Sequence, residues 1–216
     1  MDSCGIIDVK MPSPLHLEPI RAHILARLER ELAPELTYHD VGHTRDDVVP
    51  AALRLGRWHG LDAHDLELLE IAALFHDIGY SKQSQGHEAV SVRIARETLP
   101  RFGVDPGSID RIADTIMATQ LPQTPKDLLG ELLADADLDV LGREDFFERN
   151  RALRGEMASR GEIASDLEWF RHQVTFLEDH SYFTDGAQAT RNAGKQRNLD
   201  EVRRRLAALE KDHATD

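Results

Sequence analysis

A predicted helix over residues 62–78 constrains the fold more than any other segment of this 216-residue chain. Its apolar side chains from Leu66 to Ile78 cover nearly every side and leave no clearly wet face in its second half. A helix that is apolar all round has to be covered on every side, so we expect it to run through the middle of the fold. Gly79 follows directly and predicts a left-handed end to this helix.

Apolar residues recur every three or four positions along most of the remaining chain, a spacing that indicates helices rather than strands. Low aromatic content and abundant Leu, Ala, Arg and Glu favour the same class. The sequence therefore predicts an all-α fold. The further predicted helices cover about 17–33, 48–58, 87–99, 106–120, 126–142, 143–159, 162–181 and 198–212.

These helices are expected to close one core, because 216 residues with 41% hydrophobic content suffice for one substantial domain. We predict a flexible N-terminal segment over residues 1–16 and a single-domain helical bundle over residues 17–183. Residues 184–216 are predicted as a C-terminal segment whose terminal amphipathic helix packs on the same domain. Within it, residues 184–198 are rich in Gly, Ala, Thr and Asn and are expected to form a loose connection.

Charge and cysteine content exclude several classes of function. Asp and Glu number 39 against 26 Lys and Arg, a formal charge of −13, so nucleic acid polymers and anionic membranes are not expected as partners. A small phosphorylated substrate would need a cation and a few local basic groups. Cys4 is the only cysteine, which excludes an intrachain disulfide and a cysteine-based zinc site. The chain shows neither a signal-peptide pattern nor a window of transmembrane length, which predicts a cytoplasmic protein.

The adjacent residues His76 and Asp77 end the apolar helix. Burying a carboxylate without a partner is costly, and a bound divalent cation is one partner that offsets the cost. The negative end of the helix dipole favours a cation at the same place. The alternative is a capping carboxylate beside a hydrogen-bonded core histidine. The pair alone leaves both interpretations open.

Two further clusters favour the metal. His39 and His43 lie four residues apart at the entrance of the helix that contains Val48, a spacing at which two imidazoles can point the same way. Acidic residues also stand inside the Leu-rich predicted helix 126–142. Asp135 and Asp137 each share a face with leucines, so either could point inward, whereas Asp139 is expected to face solvent. One of the inward pair could instead serve as a cap or as a partner for an arginine.

The order of these clusters resembles the HD superfamily of metal-dependent phosphohydrolases over roughly residues 37–142. The resemblance implies a helical bundle of the HD-domain type and a metal held by His43, His76, Asp77 and either Asp135 or Asp137, with Asp137 slightly preferred. The stretch from Tyr38 to Val48 is also similar to the opening motif of the cyclic-nucleotide phosphodiesterases of that superfamily. By that likeness His39 is a general acid; the alternative is that it only packs beside Tyr38.

The same resemblance also bears on four other residues. His87 shares a helix face with Val90 and Ile94, so it is either a core histidine or a residue lining the site. Lys82 is close enough to the His-Asp pair to reach a phosphate, or it is a plain surface group. Thr119 and Gln120 stand about where two-metal members carry another histidine. The resemblance therefore implies one divalent ion, which could be Mn, Fe, Co, Ni, Mg or Zn.

The predicted reaction is hydrolysis of a phosphate ester in a small phosphorylated metabolite, for example a nucleotide, by a phosphomonoesterase or phosphodiesterase. Asp77 is assigned two roles, as a ligand and as the partner of the attacking water. One alternative is a non-catalytic module that senses a metal or a ligand. Another, the iron-dependent oxygenases of the same superfamily, needs more ligands than this sequence clearly supplies. The sequence leaves both a monomer and a homodimer open.

Overall fold

The computed structural model describes residues 17–214, so the predicted flexible segment 1–16 lies outside the described residues. The described part of the chain is mostly helical and contains no strand, which confirms the all-α class. Its nine α-helices are α1 Leu17–Glu31, α2 Val49–Trp58, α3 Ala63–Phe75, α4 His87–Thr98, α5 Pro106–Met117, α6 Leu128–Asp137, α7 Phe146–Ser159, α8 Asp166–Asp179 and α9 Asp185–Ala214. None of these helices has the length and apolar composition of a membrane-spanning segment.

Helix α3 occupies the centre of the bundle, as its all-round apolar sequence predicted. It packs against α1, α2, α4, α5 and α6, and every side chain from Leu68 to Phe75 is buried. The side chain of Asp62 caps its start by accepting a hydrogen bond from the amide of Asp65. Each leucine or isoleucine buried here contributes about 2 kcal/mol, so α3 is the element around which the other helices assemble.

The predicted left-handed end at Gly79 is wrong. Helix α3 ends at Phe75, and Gly79 lies in a short 3-10 turn, Ile78–Ser81, without a positive φ angle. A glycine is needed there because of a close approach: a Cβ atom would lie 2.0 Å from the carbonyl oxygen of His87 at the start of α4. The amide of Gly79 also donates to Ser91 Oγ at 2.8 Å. The turn that follows the His-Asp pair is thereby held against α4.

The predicted loose connection over residues 184–198 is also wrong, because this segment forms the first half of the 30-residue helix α9. Its small residues serve close packing. A Cβ atom on Gly194 would lie 1.9 Å from the carbonyl oxygen of Gly142, in the short turn Asp139–Gly142. Helix α9 therefore crosses that turn at backbone contact, and it packs along α8 as well.

Asp139 does not face solvent, contrary to the sequence-based expectation. Its side chain is buried and forms ion pairs with Arg54 of α2 at 2.6 Å and with Arg191 of α9 at 2.8 Å. A buried carboxylate needs such compensation, since removal from water is costly for an unpaired charge. Asp139 thus ties α2 and α9 to the turn between α6 and α7.

Candidate metal centre

Three separate parts of the fold bring the predicted metal ligands together. His43 begins a short π-helical turn, His43–Val48, that leads into α2, and its amide donates to Asp40 Oδ1 at 2.8 Å. His76 and Asp77 follow directly after α3, and Asp137 is the last residue of α6. π-Helical turns are frequent at functional sites because they redirect a side chain from the regular helical path.

The ligand atoms of these four residues are separated by distances that suit a single ion. His43 Nε2 lies 3.5 Å from Asp77 Oδ2 and 3.2 Å from Asp137 Oδ1. His76 Nε2 lies 3.2 Å and 3.4 Å from the same two oxygens. Ligand atoms about 2.1 Å from one ion lie roughly 3.0 Å apart at a right angle and roughly 3.4 Å apart at the tetrahedral angle. The cluster therefore matches the edges of a divalent-metal coordination shell.

The hydrogen bonding of His76 supports the same interpretation. Its ring is fully buried, and its Nδ1 atom lies 2.7 Å from the carbonyl oxygen of Ala73, which can only accept. Nδ1 is therefore the protonated nitrogen in the neutral ring, and Nε2 presents a lone pair. Nε2 and Asp77 Oδ2 are both buried without a hydrogen-bond partner among the described residues. With the ring neutral, these atoms are two facing electron-pair donors, and positive charge between them, from a metal ion or from a proton on Nε2, satisfies both.

The charges of the cluster depend strongly on one another. Burial by itself lowers the pKa of His76, but the nearby carboxylates of Asp77 and Asp137 outweigh it and hold this pKa well above its ordinary value. Burial by itself raises the pKa of Asp77, which His76 and His87 nevertheless hold well below the usual range. The buried carboxylate of Asp77 and the partly buried carboxylate of Asp137 thus remain charged as long as positive charge lies between them.

Asp135 lies outside this cluster. Two residues apart on a helix, Asp135 and Asp137 point in directions roughly 200° apart around the axis of α6. The carboxylate of Asp135 accepts hydrogen bonds from the amides of Phe183 and Thr184 and from the hydroxyl of Thr184, at 2.7–2.8 Å. Asp135 therefore anchors the segment that leads into α9.

His87 and His39 flank the cluster on either side of Tyr80. His87 Nε2 lies 3.2 Å from Asp77 Oδ1, the oxygen of Asp77 that does not face the other histidines. The ring of Tyr80 stacks between His39 and His87, with centroid distances of 4.1 Å and 4.0 Å. The Tyr80 hydroxyl also lies 3.2 Å from His39 Nε2. Both predicted histidines therefore line the site.

Glu156 of α7 is a site residue that sequence reasoning missed. Its buried carboxylate lies 2.6 Å from His39 Nδ1 and accepts hydrogen bonds from the amides of Tyr38 and His39. Burial by itself raises the pKa of Glu156, but His39 and Arg160 outweigh it and lower this pKa to about 2. No local motif marks Glu156, because more than 100 residues separate it from His39 in the sequence.

Lys82, predicted to bind substrate, is half-exposed and lies 3.8 Å from Glu31, away from the cavity beside the cluster. Arg160 is the one Lys or Arg among the described residues that line this cavity. The guanidinium of Arg160 is shared between Glu156 at 2.8 Å and Glu162 at 2.7 Å. Arg160 is therefore the basic side chain best placed to meet an anionic ligand.

The cavity itself has a volume of about 580 Å³, which is typical of a pocket for a small metabolite. Asp77, Asp137, His39 and His87 form one part of its wall, and α7 and α8 supply much of the rest. Most of the remaining lining is apolar. Its apolar residues are Leu121, Leu138, Val140, Leu141, Phe146, Leu153, Met157 and Phe176, and its polar residues include Ser84, Gln85, Glu88, Thr119, Gln120, Asn150, Glu162, His172 and Gln173.

Comparison with known proteins gives one family and several related structures. Residues 22–139 match the model of the HD domain. A predicted HD superfamily hydrolase from an uncultured Thermotogales bacterium is 21% identical, with a TM-score of 0.61 over 90% of this chain and 94% of that chain. Bacillus subtilis YpgQ, solved in complex with ADP, is 21% identical, with a TM-score of 0.61 over 91% and 96%. A Lactobacillus plantarum protein is 17% identical, with a TM-score of 0.66 over 93% and 97%. A search of curated proteins finds no significant match.

Proposed function

Since this chain belongs to the HD domain family, as its sequence motifs predicted, we propose that it hydrolyses a phosphate ester of a small metabolite with one divalent metal ion. One observation carries the proposal. His76 Nε2 and Asp77 Oδ2 are buried, face each other at 3.2 Å and have no hydrogen-bond partner among the described residues. Leaving two such groups unsatisfied is costly, and a divalent cation satisfies both.

We propose His43, His76, Asp77 and Asp137 as the ligands of this ion. An ion held by two imidazoles and two carboxylates would lower the pKa of a bound water and neutralise charge on phosphoryl oxygens. Asp77 is bifunctional in this scheme. Its Oδ2 belongs to the ligand set, whereas its Oδ1 lies beside His87, on the wall of the cavity, where it can orient a water molecule.

His39 is the proposed proton donor to the leaving oxygen. Glu156 holds its Nδ1 atom, so the ring keeps a fixed orientation with Nε2 toward Tyr80 and the cavity. A histidine fixed by a carboxylate at one nitrogen is suited to transfer a proton at the other. Glu156 is in this account a positioning residue, since it acts through His39.

The substrate is proposed to place its phosphate at the ligand cluster and its organic part against the apolar wall. His87 and Arg160 line the cavity and are the proposed phosphate contacts, in preference to Lys82. A nucleotide is the first candidate to test, because the cavity volume is sufficient and the related YpgQ was solved with ADP. The local basic groups are few, which favours a substrate with a single phosphate group.

Metal analysis of the purified full-length chain is the first test. We expect about one equivalent of divalent metal in the wild type and a loss of most of it in Asp77→Asn and in Asp137→Asn. Asp110→Asn, which makes the same change at an exposed carboxylate paired with Arg96, is the matched control. Full metal content in Asp77→Asn would refute the site.

Activity is tested with p-nitrophenyl phosphate, phenyl phosphate, bis-p-nitrophenyl phosphate and a nucleotide panel, each with manganese, cobalt, nickel or magnesium. His39→Asn should slow phenyl phosphate more than p-nitrophenyl phosphate, because the more basic phenolate needs a proton donor more. Equal slowing of both esters would remove His39 from that role. Metal binding without turnover of any ester would favour the sensing module instead.

A further inference from the structure

One face of α7 lines the cavity outside the part of the chain that matches the HD domain. Four residues of α7 and the residue that directly follows it recur at intervals of three or four and all line the wall: Phe146, Asn150, Leu153, Met157 and Arg160. Because a helix rises about 1.5 Å per residue, Asn150 and Arg160 lie roughly 15 Å apart along it. The cavity therefore has a charged region at Arg160 and a neutral polar region at Asn150.

Three buried polar side chains are joined by hydrogen bonds in the neutral region. The indole Nε1 of Trp169 donates to Asn150 Oδ1 at 3.0 Å, and Asn150 Nδ2 donates to Gln173 Oε1 at 2.5 Å. An indole nitrogen can only donate, so it fixes which end of the Asn150 amide is oxygen. That in turn fixes the amide of Gln173. Its Oε1 is used by Asn150, and its Nε2 carries two N–H groups.

These N–H groups have no acceptor in the described part of the chain. Gln173 is only 3% exposed, it lines the cavity, and its Nε2 atom donates no hydrogen bond to another described residue. Amide donors on a cavity wall that no other side chain or backbone group engages are available to a ligand that supplies acceptors. The hydrogen bonds from Trp169 to Asn150 and from Asn150 to Gln173 also prevent the Gln173 amide from turning its oxygen toward a ligand.

We propose that Gln173 selects the organic part of the substrate by donating to a neutral carbonyl-type oxygen. This inference rests on the proposed hydrolysis of a phosphate ester. A carbonyl is favoured over a second anionic group because this region of the wall holds amides, apolar side chains and His172 but no Lys or Arg, and Arg160 lies about 15 Å from Asn150 along the helix direction. An amino group in the same position would meet N–H donors and form no hydrogen bond. Among nucleoside monophosphates, the proposal favours keto-bearing bases over amino-bearing ones.

Inosine and adenosine monophosphates are the probes, because their bases differ mainly in a keto oxygen against an amino group. With the metal-loaded full-length enzyme we expect kcat/KM to favour the inosine compound by about tenfold or more. Gln173→Leu removes the donors and should bring the ratio to within about twofold, and Gln173→Glu should reverse it. Gln196→Glu, the same change on the exposed face of α9, should keep the wild-type ratio.

Two further measurements separate the possible failures. Turnover of p-nitrophenyl phosphate by the wild type reports on the proposed hydrolysis alone. If neither nucleotide is hydrolysed, calorimetric affinities for the two compounds replace kcat/KM. Trp169→Phe, which removes the indole donor, should also reduce the preference because the two amides become free to turn. Equal preference for both compounds in the wild type, or an unchanged ratio in Gln173→Leu, would overturn the role of Gln173.

Discussion

Replacing Glu156 by glutamine tests the buried pair that it forms with His39. The pKa of this carboxyl is ordinarily 4.5 and is lowered to about 2 in the folded protein, a difference worth about 3 kcal/mol of stability. Because the folded-state pKa is the lower one, this contribution is fully present above about pH 5 and is lost as the pH falls from about 4.5 toward 2. By pH 3, about 2 kcal/mol of it should be gone.

Glu156→Gln keeps the volume and one acceptor for the amides of Tyr38 and His39 but cannot carry charge. We expect it to unfold with about 1–3 kcal/mol less free energy than the wild type at pH 7, and with a much smaller difference at pH 3. Urea unfolding followed by circular dichroism at pH 7, 5 and 3 measures the free energy of unfolding of the wild type and of the variant. Glu162→Gln removes an exposed carboxylate that also pairs with Arg160, and its free energy of unfolding should stay within about 0.5 kcal/mol of the wild-type value. A wild-type-to-variant difference that does not change with pH would refute the reasoning.

Two further predictions concern close packing and metal binding. Gly194→Ala places a methyl group 1.9 Å from the carbonyl oxygen of Gly142 and should destabilise the protein by about 3 kcal/mol or more. Gly155→Ala, in open space on α7, is the control and should be neutral or stabilising by up to about 1 kcal/mol. Thermal and urea unfolding measure the stability of both variants. Added manganese should raise the Tm of the wild type by several degrees and chelation should reverse the rise. That response should be lost in Asp137→Asn but kept in Asp135→Asn, even though the latter lowers the Tm itself; the opposite pattern would exchange their roles.

The sequence predicted the central helix α3 and the all-α class because both follow from local periodicity, which packing then reinforces. It also singled out His43, His76 and Asp77, because polar groups at the ends of apolar helices are costly to bury unless they have a partner. The sequence predicted the second half of α9 as a helix over 198–212 but missed its first half. That half is poor in large apolar residues, and only contact with Gly142 explains why small residues are required in it.

Glu156, Asn150 and Gln173 escaped prediction for a different reason. Each is one polar residue on an ordinary amphipathic helix, and its role depends on the angle at which α7 and α8 meet the rest of the bundle. The spacing of polar residues within a helix predicts which share a face, but not what that face meets. Recognition residues contributed by such helices are therefore found from structure, even where the motif residues of the same site are evident in the sequence.

Asp135 and Asp137 show what the sequence predicts about a buried acidic residue and what only the structure decides. Both are acidic residues in an apolar helix, and the cost of burying either carboxylate requires a partner. On one side of α6, Asp135 meets the backbone amides that precede α9, while on the other side Asp137 meets the histidines. Because the anchoring of α9 fixes the rotation of α6 about its axis, the same contact that removes Asp135 from the cluster holds Asp137 in it.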